Sequence, residues 1–273
     1  MHKSFDTPGP TKLYVELGAG DLNIHATGTS QTVVDIDGQG ADDVIVEQRG
    51  DQVVVAAPHR RAGLFGTSIE LNVHVTLPID SEVATKLGSA DFVGTGRFGT
   101  AKIRSGSGDV RLDELGGDAM IESGSGEIKV GTAAAKLRIK CGSGDVEIDR
   151  LDSATSISTG SGDVELGTTQ AEVLVKSGSG SMRVKDAHTD VSLSTASGDL
   201  HVGVMHRGVL MAKNVSGDIR VGIPANIPVW TDIHCATGRV RSNLESAGQP
   251  EKGQDFIEVR AKTVSGNIDL EQM

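Results

Sequence analysis

The sequence repeats itself every 18 residues, and this constrains the fold more than any other feature. Ser105-Gly106-Ser107-Gly108-Asp109-Val110 returns as Ser123-Gly124-Ser125-Gly126-Glu127-Ile128, Cys141-Gly142-Ser143-Gly144-Asp145-Val146 and Thr159-Gly160-Ser161-Gly162-Asp163-Val164. A further copy reads Ser177-Gly178-Ser179-Gly180-Ser181-Met182. The spacing holds to Gly198, then loosens at Gly217, Gly238 and Gly266. Backwards, Ala90 keeps the register, and Leu17-Gly18-Ala19-Gly20-Asp21-Leu22 is an earlier copy. Self-similarity at a fixed period marks a stacked architecture in which one small unit recurs.

Each copy has internal parity. Five residues before the second glycine stand Ile103, Ile121, Ile139, Ile157, Val175 and Leu193. Two after it stand Val110, Ile128, Val146, Val164, Met182 and Leu200, and four after it Leu112, Val130, Ile148, Leu166, Val184 and Val202. Alternation by two is the strand period. Around the glycine the spacing slips to three, which marks a corner, and glycine takes left-handed dihedrals there at little cost. Short strands, one corner type and an 18-residue period predict an all-β chain folded as a parallel β-solenoid, its coils stacked at ~4.8 Å. The column Ser105, Ser123, Cys141, Thr159, Ser177, Thr195 is expected to face inward as a polar ladder bonded to neighbours or backbone. Composition agrees with a narrow core: aromatics are 3 % and apolar residues 37 %. The 36 glycines do not fall at every third position, so the chain is no collagen.

Residues 25–82 break the period. They alternate as Val33-Val34-Asp35-Ile36-Asp37, Val44-Ile45-Val46, Val53-Val54-Val55 and Ile69 to Leu77, with turns expected near Gly38-Gln39-Gly40 and Arg49-Gly50-Asp51. They read as a β-hairpin insertion that covers the N-terminal end or one flank, because an open solenoid end exposes strand edges. The predicted organisation is therefore 1–82, a first coil plus capping hairpins, and 83–273, the solenoid repeats with C-terminal capping strands. Ser242 to Gln254 reads as a polar loop before a closing strand pair, Phe256 to Ala261 and Gly266 to Leu270.

The chain resembles a bacterial β-strand-repeat family of putative adhesins. The likeness is carried by Leu17-Gly18-Ala19-Gly20-Asp21-Leu22, Val75-Thr76-Leu77-Pro78, the Ser-Gly-Ser-Gly-Asp series and Lys262-Thr263-Val264-Ser265-Gly266-Asn267-Ile268, and it spans nearly the whole chain. It implies a parallel β-helix and brings no established catalytic residues. Some relatives are linked to envelope stress.

A net charge of -11 disfavours nucleic-acid partners. No stretch reaches the ~18 apolar residues of a membrane span, and the first ten residues hold no apolar run, so a cytoplasmic location is expected. The acids after the corner glycine, among them Asp109, Glu127, Asp145 and Asp163, are calcium candidates, since a carboxylate row plus corner carbonyls offers oxygen ligands. The competing reading is turn chemistry, with each side chain bonded to nearby backbone N–H groups. His201 and His206 fall on one coil and His188 one coil earlier, a candidate surface metal group. Cys141 and Cys235 share a column five coils apart, ~24 Å, too far for a disulfide. Arg49-Gly50-Asp51 spells an attachment tripeptide and reads more simply as a hairpin tip. Sugar-active β-helices need aromatic platforms, and this chain has one tryptophan and one tyrosine. The expected function is a non-enzymatic binding or scaffold solenoid of nine or ten coils, roughly 45 Å. Its partner is a protein or a second copy, and no cofactor is expected. A carbohydrate-active or carbohydrate-binding β-helix and a calcium-binding solenoid are the alternatives.

Overall fold

A computed structural model describes residues 1–58, 70–245 and 255–273. The described residues form strands and one short 3-10 turn, with no α-helix among them. They fall into two compact units, Met1–Arg138 and Ile139–Met273.

In the first unit, each coil contributes one strand to each of two sheets. Lys12–Leu17, Glu82–Leu87, Ala101–Ser105 and Ala119–Ser123 lie side by side in one sheet. Ala19–Thr27, Asp91–Phe98, Val110–Leu115 and Ile128–Ala133 lie side by side in the other. Pairing is parallel with the period as its offset: Ala101 faces Val83 and Ala119, and Val110 faces Phe92 and Ile128. Equivalent residues of successive coils therefore share one environment. Ile103, Ile121, Val110, Ile128 and Leu115 are fully buried, as are Phe92 and Phe98.

The segment that breaks the period sits on the outer side of the first coil. Lys12–Leu17 pairs with Glu82–Leu87 on one side and with Gln52–Ala56 on the other. Ala19–Thr27 likewise lies between Asp91–Phe98 and Glu70–Pro78. Ile45–Arg49 folds back on Gln52–Ala56 as the expected antiparallel hairpin, with Gly50 at its tip (φ 63°). The turn expected at Gly38-Gln39-Gly40 is not a hairpin. Gln31–Asp37 pairs antiparallel with Glu70–Pro78 and with His2–Asp6, and the chain crosses to the other sheet through the 3-10 turn Ala41–Asp43. Gly38 (φ 123°) and Gly40 (φ 89°) redirect the backbone, and Ala41 and Val44 bury behind them. The strand read from Ile69 is seen from Glu70 onward; Ile69 lies outside the described residues.

The second unit repeats the scheme. Val146 faces Val164, Val164 faces Met182, and Met182 faces Leu200, each one period apart. Leu200 then faces Ile219 after 19 residues. Beyond that the chain leaves sequence order. Ile257–Ser265 and Ile268–Gln272 pair against Gly208–Lys213 and Ile219–Ile223, while Val229–Thr237 and Val240–Ser242 lie outside them. The closing coil is thus Val229–Ser242, not the strand pair at 256–270. Burial follows from this order. Ile257, Val259 and Ala261 are fully buried, whereas Val229, Ile233 and Cys235 are only half-buried.

The corner glycines share one need, close approach to the neighbouring coil, and some add a second: a Cβ on Gly162 would fall 2.4 Å from the Gly144 carbonyl oxygen, and its backbone is left-handed as well. In the second unit Gly162 (φ 127°), Gly180 (φ 134°), Gly198 (φ 139°) and Gly217 (φ 127°) adopt the left-handed backbone expected of them. In the first unit Gly108 and Gly126 lie outside that range. They are glycine because coils approach closely: a Cβ on Gly126 would fall 2.1 Å from the Gly108 carbonyl oxygen. No real Cβ contact is so short.

Candidate functional site

The column before the corner is inward and polar, as its composition implies. Ser105 Oγ donates to the Gly108 carbonyl at 2.8 Å, Ser123 Oγ to Gly126, and Thr195 Oγ1 to Ser197 at 3.0 Å. Cys141 Sγ donates to Gly144 at 3.3 Å, and Cys235 Sγ to Gly266 at 3.2 Å. Both thiols therefore do the work of the serine, and neither forms a disulfide. Because the 257–265 strand is interposed, they lie six strand spacings apart rather than five, ~29 Å. Burial pushes the Cys141 thiol above its ordinary value, against bonds to the corner backbone.

The acids after the glycine cross-link coils. In the first unit the N–H of Asp109 donates to Asp91 Oδ1, and that of Glu127 to Asp109 Oδ1, both at 2.9 Å. In the second unit Asp145 Oδ1 accepts from the Asp163 N–H, and Asp163 Oδ1 from the Ser181 N–H, both at 2.8 Å. Asp199 and Asp218 continue the pattern toward Asp218 and Asn267. The carboxylates do bond backbone N–H groups, but those of the next coil rather than their own turn. Each of these bonded carboxylates commits one oxygen to the stack. Arg111 lies 3.0 Å from Asp109 and 3.6 Å from Glu127, which offsets their repulsion.

Among the described residues, the group with metal-ligand spacing lies elsewhere, in the second unit. Asp186 stands on Met182–Ala187; His188 follows that strand, and His206 follows Leu200–Met205 one period later. Stacked coils stack the rings: the imidazole centroids are 4.3 Å apart and the planes 6° from parallel. His188 Nε2 lies 2.9 Å from Asp186 Oδ2, and His206 Nε2 lies 2.7 Å from Asp186 Oδ1. Burial alone would raise the Asp186 carboxyl; the hydrogen bonds and charge of the two histidines outweigh it and hold the group below its usual value. The rings border a depression of about 480 Å³ lined also by Arg207, Asn226, Ile227 and Asp255. His201, grouped with His206 from the sequence, is not part of this cluster. It lies in a smaller depression between Arg183 and Arg220, which face it in register. Burial first, then these two guanidinium groups, lower its pKa against the pull of Glu271. Asp186 escaped the sequence reading because Thr168 and Val204 occupy its position in the neighbouring coils.

The closing strand Val229–Thr237 has one neighbour among the described residues, Ile257–Ser265. Trp230 is 56 % exposed on it, and Val240, on the last strand of the other sheet, is 50 % exposed. The outermost strand Ile45–Arg49 of the first unit carries the Glu47–Arg49 ion pair beside an exposed Ile45, and at its hairpin tip Asp51 meets Lys12 at 2.9 Å. No described helix is long and apolar enough to cross a membrane.

A family model described as Toastrack DUF4097 matches residues 11–271. No curated protein matches the chain. Among solved structures, the chain is similar to a "putative cell adhesion protein" from Clostridium sporogenes at 15 % identity, covering 100 % of this chain and 99 % of that one with a TM-score of 0.22. It is similar to a "putative lipid binding protein" from Parabacteroides distasonis at 11 % identity, covering 100 % and 96 %, with a TM-score of 0.34. A "putative adhesin" from the same organism has 10 % identity, 99 % and 96 % coverage and a TM-score of 0.37.

Proposed function

The chain belongs to the Toastrack DUF4097 family, and from that premise we propose that it is a non-enzymatic β-solenoid binding module that pairs with a second copy of itself through the open edge at Val229–Thr237. One observation carries this reading. A nine-residue strand ends the second unit's sheet with one neighbour among the described residues, and its inward side chains Val229 and Ile233 are half-exposed. Such an edge offers a row of backbone donors and acceptors and readily takes a further strand. Trp230 beside it supplies the aromatic anchor common at interface centres. The outer strand Ile45–Arg49 of the first unit carries Glu47 and Arg49, and charges on an edge are the usual defence against edge pairing. The same edge on both copies closes a two-fold dimer, the commonest symmetric assembly.

Sedimentation velocity on the purified chain tests this. A dimer is expected at micromolar concentration, and Ile233→Lys, which places a charge at the open end, is expected to give a folded monomer. A monomer at every concentration, or a dimer unaffected by Ile233→Lys and Trp230→Lys, overturns the reading.

A further inference from the structure

We propose that Asp186, His188 and His206 form a binding site for a divalent first-row transition-metal ion of the zinc, nickel or copper type. The inference stands apart from edge pairing. The three ligand atoms lie within 4.8 Å of one another, and all three side chains are partly buried. Two imidazole nitrogens and one carboxylate are the donors such ions prefer, whereas calcium and magnesium take oxygen sets. Both Nε2 atoms converge on one carboxylate, at 2.9 and 2.7 Å. Ligands at ~2.0–2.2 Å around a tetrahedral ion stand roughly 3.3 Å apart. The rings stack 6° from parallel, so binding requires both to tilt until their in-plane Nε2 lone pairs meet at one ion beside the Asp186 carboxylate.

The backbone holds the ligands in place before any ion arrives. The His188 N–H donates to the Thr169 carbonyl at 3.0 Å, and the His206 N–H to the Ala187 carbonyl at 2.8 Å. Both histidines are thus fixed by the same coil-to-coil bonds that build the sheet. Arg207, the nearby cation, is tied through Nε to the His188 carbonyl at 2.9 Å. Three protein ligands leave a position open toward the depression bordered by Asn226 and Asp255. That is the arrangement of zinc sites that keep a water or take an exogenous donor.

Calorimetry with zinc chloride on the full chain, stripped with chelator and dialysed, tests the proposal. One equivalent is expected to bind. His206→Gln and Asp186→Asn are each expected to weaken binding by about 100-fold or more, since losing a ligand costs at least as much as the ~10–100-fold of losing an outer-shell partner. His201→Gln should bind as the parent does, and millimolar calcium or magnesium should not compete. In a second measurement that needs no variant, cobalt should give the visible bands of a four-coordinate nitrogen and oxygen site, and zinc should shift the ring resonances of His188 and His206 alone. No binding at 100-fold excess of zinc over protein, binding unchanged by both variants, or shifts confined to other histidines overturns the proposal.

Discussion

Asp163 receives from one coil and gives to the next: its N–H bonds Asp145 Oδ1 and its own Oδ1 accepts the Ser181 N–H, both at 2.8 Å. Asp163→Ala removes the acceptor and leaves the Ser181 N–H to water at a crowded corner. A hydrogen bond with one charged partner contributes about 1.5–3 kcal/mol, and less where water competes, so a loss of about 1–2 kcal/mol is expected. Asp163→Asn should lose less than Asp163→Ala, because an amide oxygen still accepts. Urea unfolding monitored by circular dichroism checks both values.

With one oxygen of Asp109, Asp145 and Asp163 committed to backbone N–H groups, the acid column is expected to leave the melting temperature unmoved by millimolar calcium. A rise of several degrees, abolished by Asp145→Asn, would restore the column as a calcium site.

Gly126→Ala and Gly28→Ala separate close approach from mere flexibility. The first drives a methyl group to 2.1 Å from the Gly108 oxygen; the second meets nothing within 4 Å. Overpacking against rigid backbone costs about 1–3 kcal/mol, so Gly126→Ala should fall at or above that range and Gly28→Ala near zero. The same urea titration reads the difference.

The two thiols differ in reactivity. Cys141 is buried with its pKa raised, and Cys235 is half-buried on the closing strand. A raised pKa means less thiolate at a given pH. Iodoacetamide at pH 8 should therefore modify Cys235 first, and timed mass spectrometry of the peptides reads the order.

His201 is a source of pH-dependent stability. Its folded pKa lies below the usual 6.5, so between the two values the unfolded chain binds the extra proton. Stability contributed by keeping this ring neutral is present above pH 6.5 and is lost as pH falls toward the folded pKa. Melting temperatures of the parent and His201→Gln from pH 8 to 5.5 should show a shallower decline in the variant.

The period makes much of this legible in sequence. It predicts the offset that puts Val146 against Val164, places Ser105 and Ser123 in one inward column, and brings His188 beside His206. What lies outside it follows from long-range packing. Both 229–237 and 257–265 alternate like coils, and the sequence order does not reveal that the later segment lies inside, where Ile257 and Val259 are buried. Gly108 and Gly162 look alike in sequence and both avoid a neighbouring carbonyl, yet only Gly162 takes a left-handed backbone. Asp186 carries no periodic signal at all, since no neighbouring coil has an acid there.

Hydrogen exchange of the backbone amides in Val229–Thr237, followed at increasing protein concentration, tests the proposed edge pairing most directly. For the amides of this strand that point away from Ile257–Ser265, the account predicts rapid exchange in dilute solution and protection that grows with concentration, with Gly208–Lys213 protected throughout. Exchange on Val229–Thr237 that is independent of concentration, with protection appearing instead on Ile45–Arg49, would contradict it.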